Sequence, residues 1–283
     1  MKKKLNAVLG LGLAVVLAGC GGNAAQEPAA APTEAAAPTT AESKPEETKP
    51  EESKPEEGGE TDPAAESQDG AVMSYADFAA AAVDSEVTVE TYVQAKQGWW
   101  EKDGVGGVAT FYTQNEEGGY FLYDMPCSEE DYAKLTEGTK IKVTGYKSEW
   151  SGEVEIVDAT YEIEEGSYIA TAEDITDKLG TDALTDLMNR KISAKGLTVA
   201  DKGDGKAFFY NWDGSGEQGS DLYFDVTLGD ATYTFTVESY LCGADTEVYK
   251  AVEGLQVGDT IDVEGFLYWY EGAQPHITSV TVK

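Results

Sequence analysis

Apolar and polar positions begin to alternate near residue 87. Val87, Val89, Thr91 and Val93 interleave with Thr88, Glu90, Tyr92 and Gln94. That is the period of a strand with one covered face. Further strands are predicted over residues 108–113 and 120–123. The pattern then changes to Ser128-Glu129-Glu130-Asp131-Tyr132-Ala133-Lys134-Leu135. Ser128 suits an N-cap, and the three acids fall where a helix N-terminus favours negative charge. Tyr132 and Leu135 share one side of this short helix, and Gly138 follows its end. Alternation resumes through Ile141, Val143 and Gly145. A turn at Ser151-Gly152 leads into a last strand over residues 154–163. The apolar phase slips between Ile156 and Val157, which predicts a bulge.

The same plan returns. The string Gly138-Thr139-Lys140-Ile141-Lys142-Val143-Thr144-Gly145-Tyr146 matches Gly258-Asp259-Thr260-Ile261-Asp262-Val263-Glu264-Gly265-Phe266. Gly152 and Gly272 each fall seven residues beyond Gly145 and Gly265. Residues 192–200 match residues 87–95. A second short helix is predicted over residues 245–253, with Val248, Tyr249 and Val252 on one side. Amphipathic helices are also predicted ahead of each copy: residues 74–83, then 171–179 and 181–190. They read as caps over barrel ends. The copies are bounded as residues 73–165 and 171–283.

Strand, strand, strand, short helix, strand, strand is the order of the OB-fold, a five-stranded, partly open barrel. The expected fold class is therefore mainly β with short helices: two tandem OB-fold-like five-stranded barrels. A pair of small β-sandwiches is the alternative.

The start of the chain follows other rules. Lys2, Lys3 and Lys4 precede an apolar run over residues 5–18, only 14 residues long. About 20 are needed to span a bilayer, so residues 1–20 read as a secretory signal. The run ends in Leu17-Ala18-Gly19-Cys20, which resembles the bacterial lipobox. That resemblance implies lipid on the Cys20 sulfur, with Cys20 as the mature N-terminus. Two acyl chains suffice for stable attachment where one is marginal. Residues 21–71 hold seven of the nine prolines and no aromatic residue, and repeat a Ser/Thr-Lys-Pro-Glu-Glu unit three times from Ser43 to Glu57. Such a stretch cannot bury enough apolar surface to fold. It is expected to be a disordered spacer, roughly 40 Å long if flexible. The expected location is extracytoplasmic, anchored to the cell membrane.

Residues 120–123, 127–132 and 138–156 resemble segments of the tandem OB-fold lipoproteins of Gram-positive gut bacteria. That family carries no agreed activity, so the resemblance implies architecture rather than chemistry.

Charge narrows the partners. The chain has 20 Lys+Arg against 53 Asp+Glu, a formal charge of −33. Residues 1–70 hold 6 Lys and 13 acids, which leaves 14 Lys/Arg and 40 acids in residues 71–283, a balance of −26. Such a body repels polyphosphate backbones. The one His, His276, argues against His-cluster metal sites and catalytic triads. No carboxylate pair stands out as an acid–base couple, so no enzyme is expected. The favoured function is a non-catalytic surface binding protein for a carbohydrate or a protein or peptide partner, acting as a monomer. Nucleic-acid capture and hydrolysis are the alternatives.

OB-folds bind on the face of their second and third strands, between the first and fourth loops. Aromatics fall there: Trp99, Trp100, Tyr112, Tyr120 and Trp150 in the first copy, Tyr210, Trp212, Trp269 and Tyr270 in the second. Exposed rings stack on sugars, bases or side chains; the bland alternative is that they fill barrel ends or the seam. Trp99 and Trp150, beside glycines or polar residues, are expected to be exposed. Asn211, Asp213, Ser215 and Glu217, with Gly216, imitate the start of a calcium loop, although position 12 is Leu222 and the loop joins strands. No other cofactor is expected. Cys127 and Cys242 occupy matching points; a disulfide between them is conceivable after export, but equivalent points in two barrels need not meet.

Overall fold

The computed structural model describes residues 71–283. The expected leader with Cys20 and residues 21–70 of the expected spacer lie outside the described residues.

Ser74 caps α1 (Tyr75–Ala80), its hydroxyl accepting from the Asp77 amide. The helix stops at Ala81, where the backbone turns extended, rather than running to residue 83. It lays Phe78 on the first core. Its last carbonyls are gathered by one buried ammonium. Lys147 Nζ donates to Phe78 O, Ala79 O and Ala81 O at 3.0, 2.9 and 2.8 Å. A cation at a helix C-terminus matches the dipole and satisfies acceptors that would otherwise be orphaned.

The first barrel follows. It comprises β1 (Glu86–Lys96), the short β2 (Trp100–Lys102), β3 (Gly106–Gln114), β4 (Gly119–Pro126), α2 (Glu129–Lys134), β5 (Thr139–Trp150) and β6 (Glu153–Ser167). Neighbours run β1-β5-β6-β4-β3, and a β1–β3 pairing closes the ring. The pairs Tyr92/Gln114, Val93/Thr113, Ala95/Tyr112 and Lys96/Phe111 make that closure. The parallel pairing of β4 with β6 is the crossover that α2 makes necessary. Ser128 caps α2 as expected, accepting from the Asp131 amide. Val89, Phe111, Leu122, Ile141, Val143 and Ile156 fill the interior. The bulge lies slightly later than the phase slip suggested, between Thr144/Thr160 and Tyr146/Val157, with Asp158 at φ 48°. Gly145 faces it. A Cβ there would meet Ile156 Cγ2 and Val157 O at 2.8 Å, which explains the glycine.

The second barrel comprises β7 (Glu173–Asp174), β8 (Lys191–Val199), β9 (Phe208–Tyr210), β10 (Leu222–Leu228), β11 (Ala231–Val237), α3 (Glu247–Glu253), β12 (Thr260–Phe266) and β13 (His276–Val282). Its ring runs β8-β12-β13-β11-β10, with β10 returning to β8. Only two residue pairs close it, Val226/Val199 and Thr227/Thr198. The strand order of both rings is that of the OB-fold, and two closed rings replace the β-sandwich alternative.

The helices expected over 171–179 and 181–190 do not form. Glu173–Asp174 pairs as an edge strand on β8 instead, and only two tight turns follow, Thr176–Lys178 and Asp182–Leu187. Gly180 at φ +74° breaks the segment between them. The apolar spacing was still informative. Ile175, Leu179, Leu184 and Leu187 are buried against the second core, so the segment caps the barrel without becoming α-helical.

Both barrels fall inside one compact unit. Between them lies a third apolar cluster of Tyr112, Phe121 and Phe266, flanked by Ala95, Leu241 and Tyr268.

Candidate functional site: the seam between the barrels

The outward face of β3 and β4, where an OB-fold ligand would be expected, is covered by the second barrel. Tyr112 and Phe121 point out of their own barrel and pack edge-on, with centroids 5.1 Å apart. Tyr112 then meets Phe266 at 4.8 Å. Its hydroxyl shares a 2.7 Å hydrogen bond with Nδ1 of His276. Tyr268 stacks on the His276 ring at 4.1 Å. Burial alone drives the His276 pKa from 6.5 down to about 3, so the ring is neutral. Tyr112 is thus not a binding platform; it is 1% exposed and fastens the seam. His276, expected to be an ordinary first residue of the last strand, is part of that fastening.

Two further expected platforms are interior. Tyr120 is fully buried, with its ring edge-on to Phe78 at 5.0 Å and to Tyr75 at 5.5 Å. Its pKa is pushed up to about 12 by burial. Trp99 is half-buried against the first core, and its indole donates to Cys127 O at 3.0 Å. The neighbouring Gly98 was read as a sign of exposure, but a glycine further along the chain lets the ring fold inward. A Cβ on Gly107 would lie 2.2 Å from Trp99 Cζ2. Trp100, on the β2 edge, is the exposed member of that pair.

In the second barrel, Tyr210 is half-buried and donates to Glu253 Oε1 at 2.6 Å. Trp212 stands alone at 74% exposure. Trp269 is half-buried against the second core.

Trp150 and Tyr270 behave differently from all of these. Trp150 ends β5, and Tyr270 lies in the β12–β13 connection, so they come from the same place in two copies. Their centroids are 5.2 Å apart with planes inclined at 44°. Both remain open, at 41% and 43% exposure. The turns that carry them match: Ser151 and Glu271 have φ 50° and 53°, each followed by a positive-φ glycine, Gly152 and Gly272. Backbone ties hold the tips together. Glu271 N donates to Ser151 O at 2.8 Å, and Trp269 N donates to Glu153 Oε2 at 2.8 Å. Trp269 also lies over Gly152, where a Cβ would meet its Cδ1 at 2.9 Å. Sequence reasoning named both rings but did not see that they meet.

Beneath the pair the seam holds carboxylates that composition could not single out. Glu153 is fully buried, and desolvation raises its pKa from 4.5 to about 8. Among the described residues its Oε1 has no hydrogen-bond partner, and neither does the buried Asn189 Oδ1. The Asn189 amide group is oriented by Nδ2, which donates to Val154 O at 3.0 Å. Side-chain contact with Asn189 and the Trp269 amide pull the Glu153 pKa back down, but burial outweighs them and keeps the carboxyl largely neutral at pH 7. Glu238 is pushed up to about 8 as well, chiefly by burial and secondarily by Asp221. It accepts from Gln97 Nε2 across the seam at 3.1 Å and from Leu241 N at 2.8 Å.

The loop at 211–217 is a hairpin connection, as its polar reading allowed. Asp213 Oδ1 accepts from Ser215 N at 3.0 Å, and Glu217 N donates to Ser220 Oγ at 3.3 Å. Asn211 N donates to Asp221 O. Among the described residues no group of three or more His, Cys, Asp or Glu is placed to hold a metal ion. Cys127 and Cys242 are separate, buried free thiols. Burial pushes each thiol pKa up to about 11, which makes both poor nucleophiles at neutral pH.

No protein-family model and no curated protein matches the chain. Solved structures are similar at a distance. A murine DNA-binding protein bound to double-stranded DNA is 10% identical, covers 69% of this chain and 94% of its own, and has a TM-score of 0.34. The Ifi202 HINa domain in complex with double-stranded DNA is 13% identical, with 70% and 98% covered and a TM-score of 0.31. A replication protein A heterotrimer bound to single-stranded DNA is 11% identical, with 71% and 49% covered and a TM-score of 0.31. At these levels the fold assignment rests on the strand order described above.

Proposed function

We propose that this protein is a non-catalytic binding protein, held outside the cytoplasm by lipid on Cys20, that takes a carbohydrate or peptide ligand at the Trp150–Tyr270 seam. The ring pair carries the reading. Among the described residues it is the one place where exposed aromatics from equivalent turns of both barrels are brought together, and the Glu271 N–Ser151 O hydrogen bond holds the turns. Rigid, half-exposed rings offer contact area at low entropic cost. The outward β3–β4 face of the first barrel is closed by Phe266, so the usual OB surface is not free there. A balance of −26 over residues 71–283 works against a polyphosphate ligand. Neutral His276 and two high-pKa thiols offer no activated nucleophile.

Glycan and peptide arrays probed with the full chain test the site. Trp150→Ala or Tyr270→Ala should weaken any hit about tenfold, whereas Trp212→Ala should leave it unchanged. Hits indifferent to both seam variants would reject the site. Metabolic labelling with palmitate tests the anchor: Cys20→Ser should abolish incorporation, and an unlabelled parent would refute it.

A further inference from the structure

The chain's own lysines point to what the seam binds. Among the described residues, four rings carry a lysine ammonium near their centres: Tyr132, Tyr123, Phe78 and Phe209, with Lys96, Lys102, Lys147 and Lys206 at 3.7 to 5.7 Å from the centroids. The most openly presented pair, Trp150 and Tyr270, is absent from that set. The turns that carry it could not supply a cation. Residues 148–155 and 267–275 contain no Lys or Arg, yet they hold the exposed Glu149 and Glu271. Glu149 and Glu271 flank the two rings directly and are exposed.

The inclination of the rings matters too. With centroids 5.2 Å apart and planes inclined at 44°, the two rings touch but do not make one flat floor. A flat sugar face can lie on one of them but not on both. An ammonium or guanidinium on a flexible stem can rest on an exposed ring face whatever the inclination of its neighbour, with the Glu149 and Glu271 carboxylates at the rim to compensate its charge. A body carrying 40 acids against 14 Lys/Arg also steers cations toward it.

We infer that the Trp150–Tyr270 pair is a docking site for a cationic polypeptide segment, with a Lys or Arg side chain resting on the exposed ring faces and Glu149 and Glu271 at its rim. This inference rests on the seam being the binding site and names the chemistry of its occupant.

The test is titration of the full chain with an oligolysine peptide, with a neutral oligosaccharide run in parallel. The expected result is oligolysine binding that falls steeply with salt. It should weaken about tenfold in the Trp150→Ala/Tyr270→Ala double variant, the size expected for loss of two cation–π faces. Trp212→Ala should retain parent affinity. Glu149→Gln/Glu271→Gln keeps both rings on exposed positions and should weaken binding a few-fold with a shallower salt slope, so the inference stays testable if the double ring variant misfolds. Undiminished oligolysine binding to both double variants would mean diffuse attraction to an acidic surface and overturns the inference. Oligosaccharide binding that the ring variant abolishes, with no binding of oligolysine, overturns the inference while the seam remains the site. Neither probe responding to the ring variant removes both readings.

Discussion

The two barrels share one strand order and present opposite outer faces. On the first, the outward pair Tyr112/Phe121 of β3 and β4 is aromatic and lies against Phe266. On the second, the outward pairs of β10 and β11 are Tyr223/Thr236 and Asp225/Thr234. There Asp225 accepts from Lys202 at 2.8 Å and from Thr234 Oγ1 at 2.7 Å. The barrels also close differently, through four residue pairs in the first and two in the second. A common ring thus leaves the chain free to spend one outer face on docking and to keep the other polar. Because docking covers the first barrel's face, the exposed aromatic surface moves to the turns at the edge of the seam.

Perturbing the covered face should have the largest effect. Tyr112→Ala removes a ring packed between barrels and leaves His276 Nδ1 without its partner, which should cost about 3–5 kcal/mol. Calorimetry should then show the single unfolding transition broaden or split as the barrels uncouple. An unchanged, single sharp transition would mean the seam does not couple them.

The next effect depends on pH. Glu153 titrates near 8 in the folded chain against 4.5 unfolded. Between those values the folded state holds a proton that the unfolded state has released. Its contribution is therefore complete below about 4.5 and is lost as pH rises through about 8. Glu238, also near 8, acts in the same sense. His276 acts oppositely: depressed from 6.5 to about 3, it contributes fully above 6.5 and loses that contribution as pH falls through 3. Glu153→Gln cannot ionise and keeps the shape of the neutral side chain. Denaturant titrations should find the variant more stable than the parent at pH 9, on the order of 3 kcal/mol, and level with it near pH 4. A constant difference at all pH values would show that Glu153 is not held protonated.

Lys147→Met keeps the apolar stem and removes the ammonium from three α1 carbonyls. A loss of about 2 kcal/mol is expected, with hydrogen exchange accelerated in α1 and little altered in the second barrel. The polar face should prove least sensitive. Asp225→Ala breaks an ion pair and a hydrogen bond that remain partly open to solvent, so thermal melts should register about 1 kcal/mol or less. A loss matching that of Tyr112→Ala would erase the distinction between the faces.

Much of this architecture was legible in the sequence because strand period and capping are local. Val87 through Val93 alternate as they pack, Ser128 caps α2, and the paired Gly145 and Gly265 strings mark equivalent strands. What failed was non-local. Alternation places Tyr112 on an outward face, but it does not say that Phe266 and His276 will cover that face. Gly98 beside Trp99 suggested exposure, but the distant Gly107, across the β2–β3 turn, is what admits the ring. The apolar spacing over 175–187 revealed burial, yet that segment folds as edge strand and tight turns because Gly180 and the pairing with β8 override a helical period. Glu153 had no signal at all among 53 acids, since its neutrality comes from partners distant in sequence.

Hydrogen–deuterium exchange of the full chain, with and without saturating oligolysine peptide, tests the central claim most directly. Ligand-induced protection should concentrate in residues 148–154 and 268–273, the two turns that carry Trp150 and Tyr270. Protection over residues 222–237 on the polar face of the second barrel, with those turns unchanged, would contradict it.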